Sequence, residues 1–275
     1  MHTTLIDCAT LHGSLGRPDW IVVDCRFDLA DTTAGRRAYL EAHIPGARYA
    51  DLERDLSGPR RTGAGRHPLP APDRMREVFG RLGIGRGAQV VAYDAAGGML
   101  AAARFWWMLR YMGHDAVAVL DGGWPAWLAA GYASEAGEQR IEPVRFEGEP
   151  RCERVVPIEA VLHARPLIDA RDPARYRGEV EPIDPVAGHI PGAANHFCKN
   201  NLDGSGRFRP REELRAALGP LLESARGPAT FYCGSGVTAC HDILASVHAG
   251  YPEPRLYPGS WSEWCADPSR PVARG

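Results

Sequence analysis

No Cys-x-x-Cys pair and no cysteine–histidine cluster at zinc spacing occurs in this chain, although seven cysteines stand at 8, 25, 152, 198, 233, 240 and 265. An odd, scattered set of that kind excludes a disulfide framework, and we read it as reduced thiols with no metal site. A surplus of charge of one sign is also missing, since 32 Lys and Arg face 34 Asp and Glu for a net −2. With the two signs interspersed there is no electrostatic footprint for nucleic acid or a membrane surface. No uncharged run approaches the ~18 residues of a membrane span, and residues 1–7 lack a charged and then apolar signal pattern. The glycines at 97 and 98 do not complete a Gly-x-Gly-x-x-Gly series, so no dinucleotide cofactor, nor any other, is expected. The expectation is a cytosolic globular protein with neither nucleic-acid nor membrane partners.

What is present is repetition. Val22-Val23-Asp24-Cys25-Arg26 recurs as Leu167-Ile168-Asp169-Ala170-Arg171, and Ala42-His43-Ile44-Pro45-Gly46-Ala47 as Gly188-His189-Ile190-Pro191-Gly192-Ala193, at offsets of 145 and 146 residues. Val90-Val91-Ala92-Tyr93-Asp94 parallels Ala229-Thr230-Phe231-Tyr232-Cys233, and Gly123-Trp124-Pro125-Ala126-Trp127 parallels Ser260-Trp261-Ser262-Glu263-Trp264. A period so long, used twice, is a duplicated domain and not a solenoid. A chain of 275 residues with 44% hydrophobic content can fill two cores. Each copy alternates short apolar runs with helical patterns such as 99–112 and 211–222. The expected fold is therefore α/β, two tandem domains that are each a parallel sheet covered by helices on both faces. The domains are expected at 1–135 and 154–275, joined by a linker over 136–153 that is rich in Glu, Gly, Pro and Arg and poor in aromatics. His43 and His189, kept in both copies, read as hydrogen-bonded turn residues.

The segment Phe231-Tyr232-Cys233-Gly234-Ser235-Gly236-Val237-Thr238-Ala239-Cys240-His241-Asp242 places a thiol between two elements. Residues 230–232 read as the end of a buried strand, and 238–250 have helical spacing with Ile243, Leu244 and Val247 on one side. A loop after the carboxyl end of a parallel strand is where such sheets bind ligands. Two glycines let its backbone N–H groups turn inward, and that nest together with the helix dipole favours an anion. A thiolate is such an anion, so the Cys233 pKa is expected below the ~8.5 of a free thiol. A cysteine phosphatase would place a guanidinium six residues on, where Ala239 stands. A cysteine protease would need a histidine base, and His241 falls on the following helix, turned away from the loop mouth. What remains is a thiolate that attacks sulfur.

Cys233-Gly234-Ser235-Gly236-Val237-Thr238 resembles the active-site loop of the 3-mercaptopyruvate sulfurtransferases, within the rhodanese superfamily. Asp169-Ala170-Arg171, the segment from Gly188 to Ala193, and Gly259-Ser260-Trp261-Ser262-Glu263-Trp264 resemble its other motifs. The resemblance implies two tandem rhodanese-like domains and transfer of a sulfane sulfur through a persulfide on Cys233, with Gly234, Gly236, Val237 and Thr238 forming the donor loop. The first domain is expected to be silent, because Asp94 stands where Cys233 does. Arg175 matches an arginine that pairs with the sulfur donor's carboxylate, whereas the second such position, nine residues on, is Asp184. Arg171 or Arg177 could supply the missing charge. An auxiliary Ser-His-Asp set is implied at Ser235, His67 and Asp51. The sulfur donor is expected to be 3-mercaptopyruvate or, as the alternative, thiosulfate. The acceptor would be cyanide, a small thiol or a reduced thioredoxin-like protein. Cys240 is expected to be structural or at most a slow redox partner. A rhodanese-like sensing or binding module without turnover is the reading from another class.

Overall fold

The computed structural model of the chain describes residues 1–223 and 227–275. They fall into two compact units, one of Met1–Gly58, Pro70–Arg151 and Gly204–Phe208, the other of Pro59–Leu69, Cys152–Asp203 and Arg209–Gly275.

In the first unit the apolar runs β2 (Trp20–Asp24) and β4 (Gln89–Tyr93) pair along their whole length. With β1 (Leu5–Ile6), β3 (Arg48–Tyr49) and β5 (Val117–Leu120) they form a five-stranded sheet in the order β1-β5-β4-β2-β3, every pair parallel. All five residues of β4 are buried, as a strand covered on both faces requires. The flanking helices are α1 (Cys8–His12), α2 (Ala34–Glu41), α3 (Pro72–Arg81), α4 (Ala101–Tyr111) and α5 (Gly123–Ala129). Trp106, Trp107 and Trp127 are fully buried, each worth about 3 kcal/mol or more of apolar burial.

The second unit repeats the plan with four strands, β6 (Leu167–Asp169), β7 (Ala193–Asn195), β8 (Thr230–Tyr232) and β9 (Arg255–Leu256), in the parallel order β7-β6-β8-β9. The counterpart of β1 shrinks to a single bridge between Val155 and Leu256. Helices α6 (Pro173–Arg177), α7 (Arg211–Leu222), α8 (Ala239–His248) and α9 (Ser260–Trp264) flank it. Its core gathers Leu167, Ile190, Tyr232, Tyr257, Trp261 and Trp264.

The repeated motifs turn out to be fasteners. Arg26 grips the buried Asp24 at 2.6 Å, donates to the Ala42 carbonyl and lies 4.7 Å from the Trp124 ring. Arg171 does the same with Asp169 at 2.6 Å, the Gly188 carbonyl and Trp261 at 4.7 Å. His43 and His189 hold the Tyr39 and Tyr176 carbonyls through Nδ1 at 2.7 and 2.8 Å. This is the turn-fixing role read from their presence in both copies.

The expected linker differs from the fold. Of residues 136–153, those up to Arg151 belong to the first unit. The Val144 N–H donates to the Gly80 carbonyl at 3.0 Å, and Phe146, 5% exposed, packs edge-on against Phe79. Arg151 closes the segment onto Asp115 with two bonds of 2.6 and 2.7 Å. One aromatic and one paired arginine thus outweigh a polar composition. Conversely, Pro59–Leu69, expected inside the first domain, belongs to the second unit.

Candidate active site

β8 carries Cys233 out of the sheet between β6 and β9 and leaves it 2% exposed. The loop is fixed from the N-terminus of α9. Ser260, at a positive φ of 57°, accepts the Cys233 N–H on its Oγ at 3.1 Å and donates to the Tyr257 carbonyl at 3.0 Å. The next two amides, of Trp261 and Ser262, bind the Cys233 and Gly234 carbonyls at 2.9 Å each. Gly236 has φ +74°, and a Cβ there would lie 2.3 Å from the Pro258 carbonyl, so only glycine fits. Cys240 is fully buried and its Sγ donates to the Gly236 carbonyl at 3.4 Å. The loop is thus tied at both ends before any ligand arrives.

Two guanidinium groups converge on Gly234. A Cβ at that position would stand 2.8 Å from Arg66 Nη2, and 3.7 and 3.8 Å from Nη2 and Nη1 of Arg175. Asp184 lies between them, bonded to Arg66 Nη1 through Oδ1 and to Arg175 Nη2 through Oδ2 at 3.3 Å. Arg175 also binds Glu181 with two bonds of 2.7 and 3.2 Å, and Glu181 passes the chain on to Arg171 at 3.2 Å and so to Asp169. Burial pushes the Asp184 carboxyl up, Arg66 and Arg175 pull it down, and Glu181 adds to the rise. For Glu181 burial acts in the same sense but is outweighed by the Arg175 bond and by the N–H of Asp184, which hold it below the ordinary carboxylate value. The suggestion that Arg171 or Arg177 supplies a second cation is not met. Arg171 is 3% exposed and consumed by Asp169 and Glu181, while Arg177 pairs with Glu179 at the surface. The group beside Gly234 is Arg66, which sequence reasoning missed although it adjoins His67.

Of the implied Ser-His-Asp set, two members meet. His67 is buried, with Nδ1 2.8 Å from the Ser235 Oγ. Its segment is pinned to α9, since the Arg66 N–H donates to Ser262 Oγ at 3.0 Å and Gly65 packs on the Gly259 carbonyl, where a Cβ would come within 2.5 Å. Asp51 belongs to the first unit, where its carboxylate accepts the Arg54 N–H at 2.9 Å and faces the Tyr49 hydroxyl at 3.4 Å.

The matching loop of the first unit ends in a carboxylate. Asp94 is fully buried and accepts the backbone N–H groups of Ala96, Gly98, Leu100 and Ala102 at 2.8, 2.8, 3.1 and 3.2 Å. Burial raises its pKa while those four bonds oppose the rise. The duplicated turn therefore holds an anion, here one of its own.

The profile of the family described as rhodanese-like domain matches residues 7–130 and 157–267. This chain belongs to the rhodanese family. The rhodanese chain is 49% identical over 280 residues to the probable 3-mercaptopyruvate sulfurtransferase of Pseudomonas aeruginosa, covering 98% of each chain. It is 38% identical to the putative thiosulfate sulfurtransferase SseB of Mycobacterium tuberculosis, over 98% of this chain and 97% of the relative. Among solved structures it resembles the 3-mercaptopyruvate sulfurtransferase from Leishmania major, with a TM-score of 0.86 at 31% identity, covering 95% of this chain and 74% of that one. SseA from Escherichia coli superposes with a TM-score of 0.82 at 31% identity, covering 95% of this chain and all of that one.

Behind the loop of this rhodanese lies a polar layer that the sequence did not reveal. Asp242 in α8 is fully buried, with Oδ1 accepting from Asn201 Nδ2 at 2.6 Å and Oδ2 buried without a hydrogen-bond partner among the described residues. Asn201 also meets His196 Nε2 at 2.9 Å and His241 Nδ1 at 3.3 Å. Burial raises the Asp242 pKa well above the carboxylate range, the Asn201 bond opposes this, and the charge of Cys233 adds to it. Cys198 is pushed up likewise, by burial first and then by Asp242 and Cys233. His241, fully buried in this layer, sets its Nδ1 against Asn201.

Proposed function

We propose that this rhodanese is a 3-mercaptopyruvate sulfurtransferase whose nucleophile is Cys233. The observation that carries the reading is the grouping around the Cys233 loop, with two guanidinium groups over Gly234 and a histidine-bonded hydroxyl on Ser235. The thiolate attacks the sulfur of 3-mercaptopyruvate, an S–S bond forms, and the C–S bond breaks. The electron pair leaves with carbon as the pyruvate enolate, which is protonated to pyruvate. The guanidinium pair of Arg175 and Arg66 receives the carboxylate, while Ser235, polarised by His67, donates to the developing enolate oxygen. Gly234, Gly236, Val237 and Thr238 supply the backbone cradle of the loop. An acceptor then attacks the outer sulfur and restores the thiolate, which makes the kinetics ping-pong.

The acceptor is a small thiol, cyanide or a reduced thioredoxin-like protein, and the reaction runs in the cytosol, where the seven free cysteines stay reduced. Among the described residues no helix is long and apolar enough to cross a membrane. The unit with Asp94 is catalytically silent, because its carboxylate cannot accept a sulfur. For Asp51 the family resemblance is the only ground for a part in catalysis. Thiosulfate as sulfur donor is the second reading, favoured by relatives named thiosulfate sulfurtransferase. A sensing module without turnover fits less well, because the loop keeps its thiol, its glycines and its cations. Incubation with each sulfur donor, followed by intact mass for a gain of about 32 Da on Cys233 and by pyruvate assay, tests the proposal. No gain with either would overturn it.

A further inference from the structure

Both arginines over Gly234 carry charge, but they differ in which nitrogens are spent. A guanidinium binds a carboxylate best through a fork of two parallel N–H groups, for which the Nε–Nη2 edge is one of the available pairs. In Arg175 that edge is occupied, with Nε and Nη2 on the two oxygens of Glu181 at 3.2 and 2.7 Å, and Nη2 also facing Asp184. In Arg66 only Nη1 is engaged, by Asp184. Among the described residues its Nε is buried without a hydrogen-bond partner and its Nη2 makes no hydrogen bond, and Nη2 is the atom 2.8 Å from where a Gly234 side chain would begin. A buried N–H left unpaired costs about 1–3 kcal/mol, so an acceptor oxygen placed at this edge would relieve a standing penalty. Because residue 234 is glycine, Nη2 can lie this close to the loop that carries Cys233.

We propose that Arg66, through its Nε–Nη2 edge, is the residue that receives the carboxylate of the sulfur donor, with Asp184 as the positioning residue that holds its Nη1. Arg175 then anchors Asp184 and Glu181 through Nε and Nη2 and offers the sulfur donor only Nη1. The role that an arginine at position 184 could have filled passes to a residue 118 positions earlier, oriented by the acid now at 184. This assignment rests on the sulfurtransferase reading and specifies its specificity site.

The test compares wild type with Arg66→Ala, Arg66→Lys and Arg175→Ala, measuring kcat and KM for 3-mercaptopyruvate and kcat/KM for the neutral acceptor 2-mercaptoethanol. Arg66→Ala is expected to raise the 3-mercaptopyruvate KM by about 10- to 100-fold, as loss of a charge-assisted fork should, with kcat changed less than about threefold. Arg66→Lys, which keeps the charge without the fork, should fall between wild type and alanine. Arg175→Ala should raise KM by less than Arg66→Ala. Acceptor kcat/KM should hold in Arg66→Ala and Arg66→Lys, whereas a merely structural defect would lower it together with the sulfur-donor terms. An unchanged KM in Arg66→Ala, or a larger rise in Arg175→Ala, overturns the inference while leaving the activity standing. Should Arg66→Ala fail to fold by circular dichroism, Arg66→Lys decides alone, and a wild-type KM in it overturns the inference. A wild type that releases no pyruvate and gains no sulfur means that the sulfurtransferase reading itself has failed.

Discussion

His67 Nδ1 stands 2.8 Å from Ser235 Oγ, a contact that joins residues 168 positions apart and sets an imidazole behind the one hydroxyl in the sequence from Cys233 to Val237. Its chemical value depends on the leaving group. Pyruvate departs as an enolate whose oxygen gains from a hydrogen bond, whereas thiosulfate releases sulfite, which needs none. Ser235→Ala and His67→Ala should each lower kcat with 3-mercaptopyruvate by about 100-fold, in the range of one general acid–base contact. With thiosulfate the loss should stay below about tenfold. Equal losses with the two would make the contact structural.

Cys233 should carry all of the transferred sulfur. Cys233→Ser is expected to abolish transfer from both sulfur donors, while Cys240→Ser, which loses a buried S–H contact to the Gly236 carbonyl, should keep most of the rate and lose about 1 kcal/mol of stability. Peptide mapping of the sulfur-loaded protein checks the assignment, and sulfur on Cys240 would refute it.

Asp184 sets how much positive charge the sulfur donor meets. The chain Arg66, Asp184, Arg175, Glu181, Arg171 and Asp169 has three cations and three anions, so an arriving dianion finds little net attraction. Asp184→Asn keeps an oxygen for Arg66 and removes one negative charge. At an effective dielectric near 20 a unit charge at about 4 Å is worth up to about 4 kcal/mol, and partial solvent access reduces this severalfold. The kcat/KM ratio of thiosulfate to 3-mercaptopyruvate should therefore rise by about tenfold. Grafting an arginine at Gly234 would serve less well, because its Cβ would sit 2.8 Å from Arg66 Nη2. A ratio that does not move would mean that Asp184 has no part in selection.

Asp242 should leave its mark on stability. Burial raises its pKa well above the ordinary value, so the folded protein retains a proton that the unfolded chain loses above about pH 4. The unfolded state binds fewer protons in that window, and this group's contribution to stability falls as pH rises through it. Asp242→Asn, nearly isosteric and unable to ionise, should be close to wild type at pH 5 and more stable by at least about 1 kcal/mol at pH 8. Urea midpoints at the two values measure the gap, and a gap that does not widen with pH would show that Asp242 does not titrate with folding.

Much of this architecture could be read from residue order. The Asp-x-Arg and His-Ile-Pro-Gly repeats located the duplication, the Thr230-Phe231-Tyr232 run became β8, and the pattern over 211–222 became α7, because each rests on local periodicity. Cys233 was found from a turn and Asp94 from its alignment with it. Arg66 was not, because its partner Asp184 lies far along the chain and nothing local distinguishes one arginine in Gly65-Arg66-His67 from a solvated one. The polar layer of Asn201, His241 and Asp242 escaped notice for the same reason. Composition averages over Phe146, whose ring packs against Phe79, and so hides that the segment up to Arg151 joins the first unit.

The carboxylate of Asp94 occupies its own ring of amides permanently, so the first unit's loop needs no visitor to be complete. Hydrogen exchange should show the amides of Ala96, Gly98, Leu100 and Ala102 protected whatever the state of the protein. In the second unit the corresponding anion is a sulfur whose charge and length change in every cycle. Protection over 234–238 should therefore follow sulfur loading, rising when Cys233 carries an anionic persulfide and falling in Cys233→Ser. The duplication thus provides one loop that stays shut and a second that breathes in step with turnover.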